Sequence, residues 1–372
     1  MAHLRAMRDG FLLDPEVAYL NHGSFGACPR AVFEEYQRIQ LELERGPTDF
    51  FVRHVSVPFW EREEREGALD EARAALASFV GARTDDLVFV PNATSGLNAV
   101  LRSLRVRPEE EILTTKHEYG AVQRTLAFIR ANVVACEPED LVASIGMRTR
   151  AIVVSHVTSP TALVLPVEEI LAAARKAGVL SIVDGAHAPG QLPLDLEALG
   201  ADVYSGNCHK WLCAPKGSGF LWARPEHQEW IEPLVISWGY GADSSFAERH
   251  GWQGTRDLAA YLAVPKAIEV WQGFDRERMR ELADEAERRL ASLRLKRIPG
   301  EPAPFMRAFA LPPGDPDELW RRLYEEFRVE VPLYEWEGRR ILRVSIGPYN
   351  DEADLDRLVE ALRALRQGSS AR

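Results

Sequence analysis

From about residue 87, short apolar runs alternate with segments whose apolar residues recur at helical spacing, and no other feature of the chain restricts its fold as tightly. LVFV (87–90), EILTT (111–115), NVVAC (132–136), AIVVS (151–155), LSIVD (180–184) and DVYSG (202–206) read as strands. Several are apolar almost throughout, as strands covered on both faces must be. GFLWA (219–223) reads as one more, placed at a sheet edge. Between the runs, SGLNAVLRSLR, GAVQRTLAFIR and VEEILAAARKAG carry apolar residues one helical turn apart. Crossovers of this kind join parallel strands through right-handed connections, so the chain reads as α/β, a mostly parallel sheet sandwiched by helices.

At 372 residues the chain is longer than a single growing core usually supports, which predicts a second part. After about residue 265, PKAIEVWQGF opens a run of charged helices that ends with RRILRVSIGPYN and a last helix. This predicts a large domain over 60–265 and a smaller α+β domain built from 1–59 and 266–372. A formal net charge of -11 argues against a nucleic-acid surface. MAHLRAMRDGFLLD holds no apolar run of signal-peptide length and no later stretch is a charge-free span, so no membrane partner is indicated and the reading is cytoplasmic. Cys28, Cys136, Cys208 and Cys213 show no CxxC spacing. Cys208, His209 and Cys213 lie close together, but no second ligand cluster completes four-coordination, and no metal is expected.

Lysine is scarce: it stands only at 116, 176, 210, 216, 266 and 296, and arginine supplies the other cations. Arginine keeps its proton in proteins whereas lysine can become a nucleophile or base, so amine chemistry has six candidates. In open parallel sheets ligands collect beyond the carboxyl ends of the strands, which makes the polar residues at those junctions the first to weigh. After LVFV comes PNATSGLN, where Thr94, Ser95 and Gly96 open a helix whose N–H groups and dipole suit a phosphate, although an ordinary N-cap looks the same. Asp184 closes LSIVD, with His187 three residues on, and a carboxylate there needs a cationic partner or solvent. A protonated pyridine nitrogen is one such partner. Lys210, between His209 and Trp211 in NCHKWLCAPKGSG, is placed to form an imine with an aldehyde cofactor. Tyr119 follows EILTT in TTKHEYGAV beside His117, where its ring either covers a planar heterocycle or packs as a core aromatic. A strand-end Asp or a loop Lys alone means little; the pair is far less expected by chance.

In this order the elements resemble the class V aminotransferase family of pyridoxal phosphate enzymes, the family that includes cysteine desulfurases and isopenicillin N epimerase. The most specific stretches are VDGAHAPGQLPLDLEALGADVYSGNCHKWLCAPKGSGFLW and WQGTRDLAAYLAVPKAI. NCHKWLCAPKGSGFLW and YLNHGSFGACPRAV are most similar to the epimerase branch. The resemblance implies the aminotransferase-like fold (fold type I) with pyridoxal 5'-phosphate as cofactor. It makes Lys210 the Schiff-base lysine and Asp184 the pyridinium partner, with His187 and Ser159 near the ring hydroxyl. Thr94, Ser95, Asn207 and His209 match phosphate-side positions, and Tyr119 a ring-stacking position that desulfurases often fill with histidine. Thr255, in QGTRD, resembles the residue that reaches the phosphate of a neighbouring subunit, which implies a homodimer with shared sites.

In RRILRVSIG, strand alternation sets Leu342, Val344 and Ile346 on one face and Arg343 with Ser345 on the other. Taken alone, Arg343 is a solvated strand residue. In the family an arginine in this RVS context binds the substrate α-carboxylate, a task suited to a guanidinium fork. Asn21 and His22 are implied to approach the same pocket.

Three outcomes share the first chemical step. Reprotonation on the opposite face of the α-carbon gives epimerisation, reprotonation at the cofactor carbon gives transamination, and loss of a β-substituent gives C–S lyase chemistry. Persulfide-forming desulfurases need a mobile cysteine late in the chain, and no cysteine follows position 213. An epimerase-like enzyme acting on an amino acid or peptide-like amine is therefore the leading expectation, with C–S lyase/cysteine-desulfurase-like or aminotransferase activity as the alternative. A catalytically silent α/β binding protein, which would lack a visible absorption band, is the reading outside enzymology.

Overall fold

The apolar runs that the sequence marks as strands assemble as such in the structure, a computed structural model that describes residues 7–55 and 67–369. The chain divides into two compact units, one comprising residues up to Arg30 with Thr158–Val164 and Gln272–Arg372, the other Ala31–Val157 and Leu165–Trp271. After the short strand β1 (Ala18–Tyr19) come β2 (Leu87–Val90), β3 (Glu111–Thr115), β4 (Asn132–Cys136), β5 (Thr149–Ser155), β6 (Leu180–Gly185), β7 (Val203–Asn207) and β8 (Gly219–Ala223). These last seven form the sheet of the larger unit, in the order β2-β8-β7-β6-β5-β3-β4.

From β4 through β7 every pairing is parallel, so the carboxyl ends of β3, β5, β6 and β7 emerge along one side of the sheet. Ser155 and Ser205 flank Asp184 there as its register partners. The helices Ala93–Ser103, Gly120–Phe128 and Val167–Ala177 follow β2, β3 and β5, within two residues of the periodic segments that predict them. Leu97, Val100 and Leu101 pack with Val88, Ile112, Val153, Ile182, Val203 and Leu221 into one core. Burial of a side chain of this size is worth about 1.5–3 kcal/mol, so this core holds the strand ends in place.

GFLWA departs from its expected place. It lies inside the sheet, antiparallel to both β2 and β7, and all five of its residues are buried. The edges are β2 and β4. β4 has the same apolar look as its neighbours, yet Asn132, Val133 and Ala135 are exposed.

The smaller unit is α+β. An antiparallel sheet runs β12-β13-β10-β9, made of β9 (Lys296–Arg297), β10 (Met306–Leu311), β12 (Leu333–Trp336) and β13 (Arg339–Ser345). A second, parallel pair joins β1 to β11 (Val329–Glu330). The helices Arg276–Ser292, Pro316–Phe327 and Glu352–Ser369 complete it. Its boundaries differ from the expected ones. Residues 31–55 belong to the larger unit, where the Tyr36 hydroxyl and the Gln40 amide donate to Asp257. Residues 158–164 belong to the smaller one, where Ala303 and Val164 exchange backbone bonds with Ala162 and Glu301. Positions 56–59 of the expected boundary lie outside the described residues. Among the described residues no helix is long and apolar enough to cross a membrane.

Candidate active site

The parallel strands of the larger unit bring most of the sequence-marked residues to one side of its sheet. Asp184, at the end of β6, is 3% exposed, and its Oδ1 accepts from the Ala186 N–H at 2.9 Å. No cationic side chain of the described residues lies within ion-pair distance of it. Burial holds its carboxyl above the usual carboxylate range, with the charge of Lys210 pulling the other way. A buried carboxylate with one backbone donor and no ion-pair partner suits a cationic ring N–H.

Lys210 leaves the sheet in the loop after β7, where the Cys213 N–H closes a tight turn on its carbonyl. Its Nζ lies 3.1 Å from His187 Nε2. The indole N–H of Trp211 donates to His187 Nδ1 at 3.3 Å. Gly190 (φ +83°) lets the two loops touch, since a Cβ there would stand 2.6 Å from the Trp211 carbonyl carbon. His209 donates from Nδ1 to the Ser218 carbonyl at 3.2 Å. Burial and the charge of Lys210 push its pKa down to about 4, so it is neutral at physiological pH.

The helix Ala93–Ser103 starts beside this loop. Asn207 Oδ1 accepts from the Ala93 N–H at 2.8 Å, and the N-cap Asn92 accepts from both the N–H and the hydroxyl of Ser95. Asn207 therefore ties the helix start to the end of β7, and Asn92 caps it as Asn commonly does. Thr94 lies in the same first turn. The Ala93 and Ser95 donors are thus engaged within the protein, and the helix start lies beside the Lys210 loop.

Tyr119 is the residue before the helix Gly120–Phe128, with a side chain exposed enough to lie over a ligand. His117 is buried against Glu137, at 3.4 Å. Thr255 is exposed in the loop before the helix Ala259–Leu262.

Glu118 went unnoticed in the sequence. It is buried; its Oε1 accepts from the Ser155 hydroxyl at 2.7 Å and the Tyr119 N–H at 2.8 Å, and its Oε2 has no hydrogen-bond partner. Burial and the charge of Asp184 hold its carboxyl above its usual range. The junction rule that singled out Asp184 applies equally to TTKHE, and would have found it. His156 was also missed: it follows β5, its Nδ1 lies 2.9 Å from the Tyr204 hydroxyl, and burial lowers its pKa to about 4.

In the smaller unit Arg343 is fully buried on β13, which sets aside the solvated reading. Its guanidinium donates to the Ser159 carbonyl at 2.6 Å and hydroxyl at 3.3 Å, and to the Ser24 hydroxyl at 3.0 Å. It stacks over Tyr334, 5.0 Å from the ring centre. Its Nε has no hydrogen-bond partner, and no carboxylate of the described residues pairs with it. A buried guanidinium held by neutral groups keeps its charge available to an anion. Ser159 thus stands with Arg343 in this unit. Asn21 links Ser24 to Glu330, and His22 Nδ1 lies 3.1 Å from the Tyr349 hydroxyl. Ser24 and Tyr334 gave no signal of their own in the sequence.

Comparison with known proteins identifies the family. The family model for aminotransferase class-V matches residues 61–358. Over 396 residues the chain is 37% identical to isopenicillin N epimerase of Streptomyces clavuligerus, covering 96% of this chain and 97% of that protein. Over 398 residues it is 38% identical to the isopenicillin N epimerase of Amycolatopsis lactamdurans, with the same coverage of 96% and 97%. In fold it is similar to the cysteine desulfurase CsdA of Escherichia coli, with a TM-score of 0.79 at 22% identity and 98% of each chain covered. The chain belongs to the aminotransferase class-V family and is a pyridoxal phosphate-dependent enzyme.

Proposed function

We propose that this enzyme inverts the α-carbon of an amino acid or peptide-like amine, in the manner of the isopenicillin N epimerases it resembles, and that it works as a homodimer. The observation that carries the cofactor chemistry is a lysine amine beyond β7 standing, within one unit, close enough to a buried carboxylate at the end of β6 for its charge to be felt there; the likeness to the epimerases carries the inversion. When bound, pyridoxal phosphate supplies an aldehyde that captures amines and a ring that takes up the electron pair left when an α-proton departs. Asp184 would hold the proton on the ring nitrogen, and His187 would stand near the ring hydroxyl. Thr94, Ser95, Asn207 and His209 would receive the phosphate, and Thr255, exposed in its loop, would reach that of the neighbouring subunit. Arg343 binds a carboxylate of the substrate.

Lys210 Nζ would anchor the cofactor, and as a free amine it would hold the proton taken from the α-carbon. Inversion needs a second acid to return a proton to the opposite face. Tyr119 fits this role better than His117, because its side chain is open to a ligand whereas His117 is buried against Glu137. The proton gained by Lys210 and the one given by Tyr119 balance through solvent.

Incubation of the holoenzyme in deuterated water with candidate amino acids and peptides tests this. Deuterium at the α-carbon with inverted configuration is expected; deuterium without inversion in every candidate overturns the epimerase reading. Release of a keto acid instead would indicate elimination or transamination. Elimination of a thiol requires no cysteine nucleophile, and it stays compatible with Cys208 and Cys213 being buried.

A further inference from the structure

Two side-chain nitrogens converge on one imidazole. The Trp211 indole nitrogen has only a proton to give, and it faces His187 Nδ1 at 3.3 Å. A neutral imidazole carries one N–H, so with Nδ1 accepting, the proton sits on Nε2. Nε2 in turn lies 3.1 Å from Lys210 Nζ. In that contact the imidazole donates, and the acceptor must be the lone pair of an amine, which an ammonium does not have. Both hydrogen bonds are satisfied together only when Lys210 is uncharged.

We infer that Trp211 is a positioning residue that locks His187 in its Nε2–H tautomer and thereby holds Lys210 as the free amine, the form that attacks an aldehyde. The inference rests on the cofactor-binding role of Lys210 proposed above and goes beyond it by giving that lysine a device that sets its protonation. The alternative states are each penalised by geometry. An imidazolium puts an N–H at Nδ1 against the indole N–H, and an ammonium puts an N–H against Nε2–H. Neither ring can easily turn away, because Trp211 is 3% and His187 2% exposed and the His187 loop touches the Trp211 backbone through Gly190.

The charged surroundings give the device a purpose. Asp184 lies close enough to feel the charge of Lys210 and favours the ammonium. His209 next to Lys210 is neutral and does not counter it. The Trp211–His187 pair opposes the carboxylate. Capture then needs no prior deprotonation: the amine nitrogen bonds to the aldehyde carbon, and the carbonyl oxygen leaves as water with the two amine hydrogens.

The test uses the full-length protein freed of cofactor, with its nine histidines labelled with nitrogen-15 and His187 assigned by its loss in His187→Gln. Two-bond proton–nitrogen spectra separate the two neutral tautomers and the imidazolium. The wild type is expected to show His187 as Nε2–H across neutral pH, and Trp211→Phe to lose that pattern. In parallel, the rate at which added pyridoxal phosphate develops its visible band is followed against pH. Its midpoint is expected to rise by about one unit in Trp211→Phe, or roughly tenfold slower capture at neutral pH. A merely structural role for Trp211 would lower stability or amplitude without moving the midpoint. An Nδ1–H or imidazolium His187 in the wild type overturns the inference, as does a Trp211→Phe protein with tautomer and midpoint unchanged. If that variant does not fold, the wild-type spectrum still decides. If Lys210 captures no cofactor, the function proposed above fails, while the tautomer spectrum, which needs none, still tests the lock.

Discussion

Substituting Gly96 by Ala should damage both the fold and the cofactor site, by an amount the structure sets. Gly96 lies in the first turn of Ala93–Ser103, pressed on the sheet: a Cβ there would stand 2.2 Å from Ser205 Oγ and 3.1 Å from Ser205 Cβ, against 3.4–4 Å for ordinary contact. Turning the Ser205 hydroxyl aside relieves the first clash only by breaking its 2.8 Å bond to the Phe220 carbonyl, and leaves the second. Overpacking of this kind costs about 1–3 kcal/mol and a lost buried hydrogen bond about 1–3, while alanine recovers about 1 over glycine in a helix. A net loss of about 3 kcal/mol is expected. Urea unfolding of the cofactor-free protein measures it, and because the helix start moves with the clash, pyridoxal phosphate should bind at least roughly tenfold more weakly. Ser205→Gly in the same chain should restore more than half of the stability. A loss below about 0.5 kcal/mol, or a loss equally large beside Ser205→Gly, would show that the helix is not seated as described.

Glu118 makes a pH signature. Its carboxyl is raised by burial and Asp184, so the stability it lends is complete below its unfolded value and is lost as pH climbs through the raised one. The cofactor-free protein should therefore melt lower at about pH 9 than at about pH 6, and Glu118→Gln should flatten that fall; an unchanged slope in differential scanning calorimetry would count against a buried acid there. Arg343→Lys keeps a charge but not a fork that can reach Ser159 and Ser24 together while stacking on Tyr334. KM for a carboxylate-bearing substrate should rise about 10- to 100-fold with kcat changed much less, and equal KM values would remove Arg343 from substrate binding.

The sequence disclosed what periodicity and local chemistry encode. Strands buried on both faces advertise themselves, and residues such as Asp184 and Lys210 stand out because they follow such strands. It concealed what depends on distant pairing. GFLWA looks like any apolar strand, and only β2, more than a hundred residues earlier, makes it internal. The helix Arg30–Arg45 reads as part of the amino-terminal segment until Asp257 holds it to the larger unit. Alternation placed Arg343 on a face, but its burial depends on Ser24, Ser159 and Tyr334, which come from three separate segments. Trp211 carries no meaning in NCHKWL until its indole meets His187.

Borohydride reduction of the holoenzyme, followed by peptide mass spectrometry, tests the central claim most directly. The visible band should vanish on reduction and the cofactor's mass should stay on the peptide bearing Lys210, with no such label in Lys210→Ala. A label on any of the other five lysines, or a cofactor-supplemented protein with no band to reduce, would contradict the account.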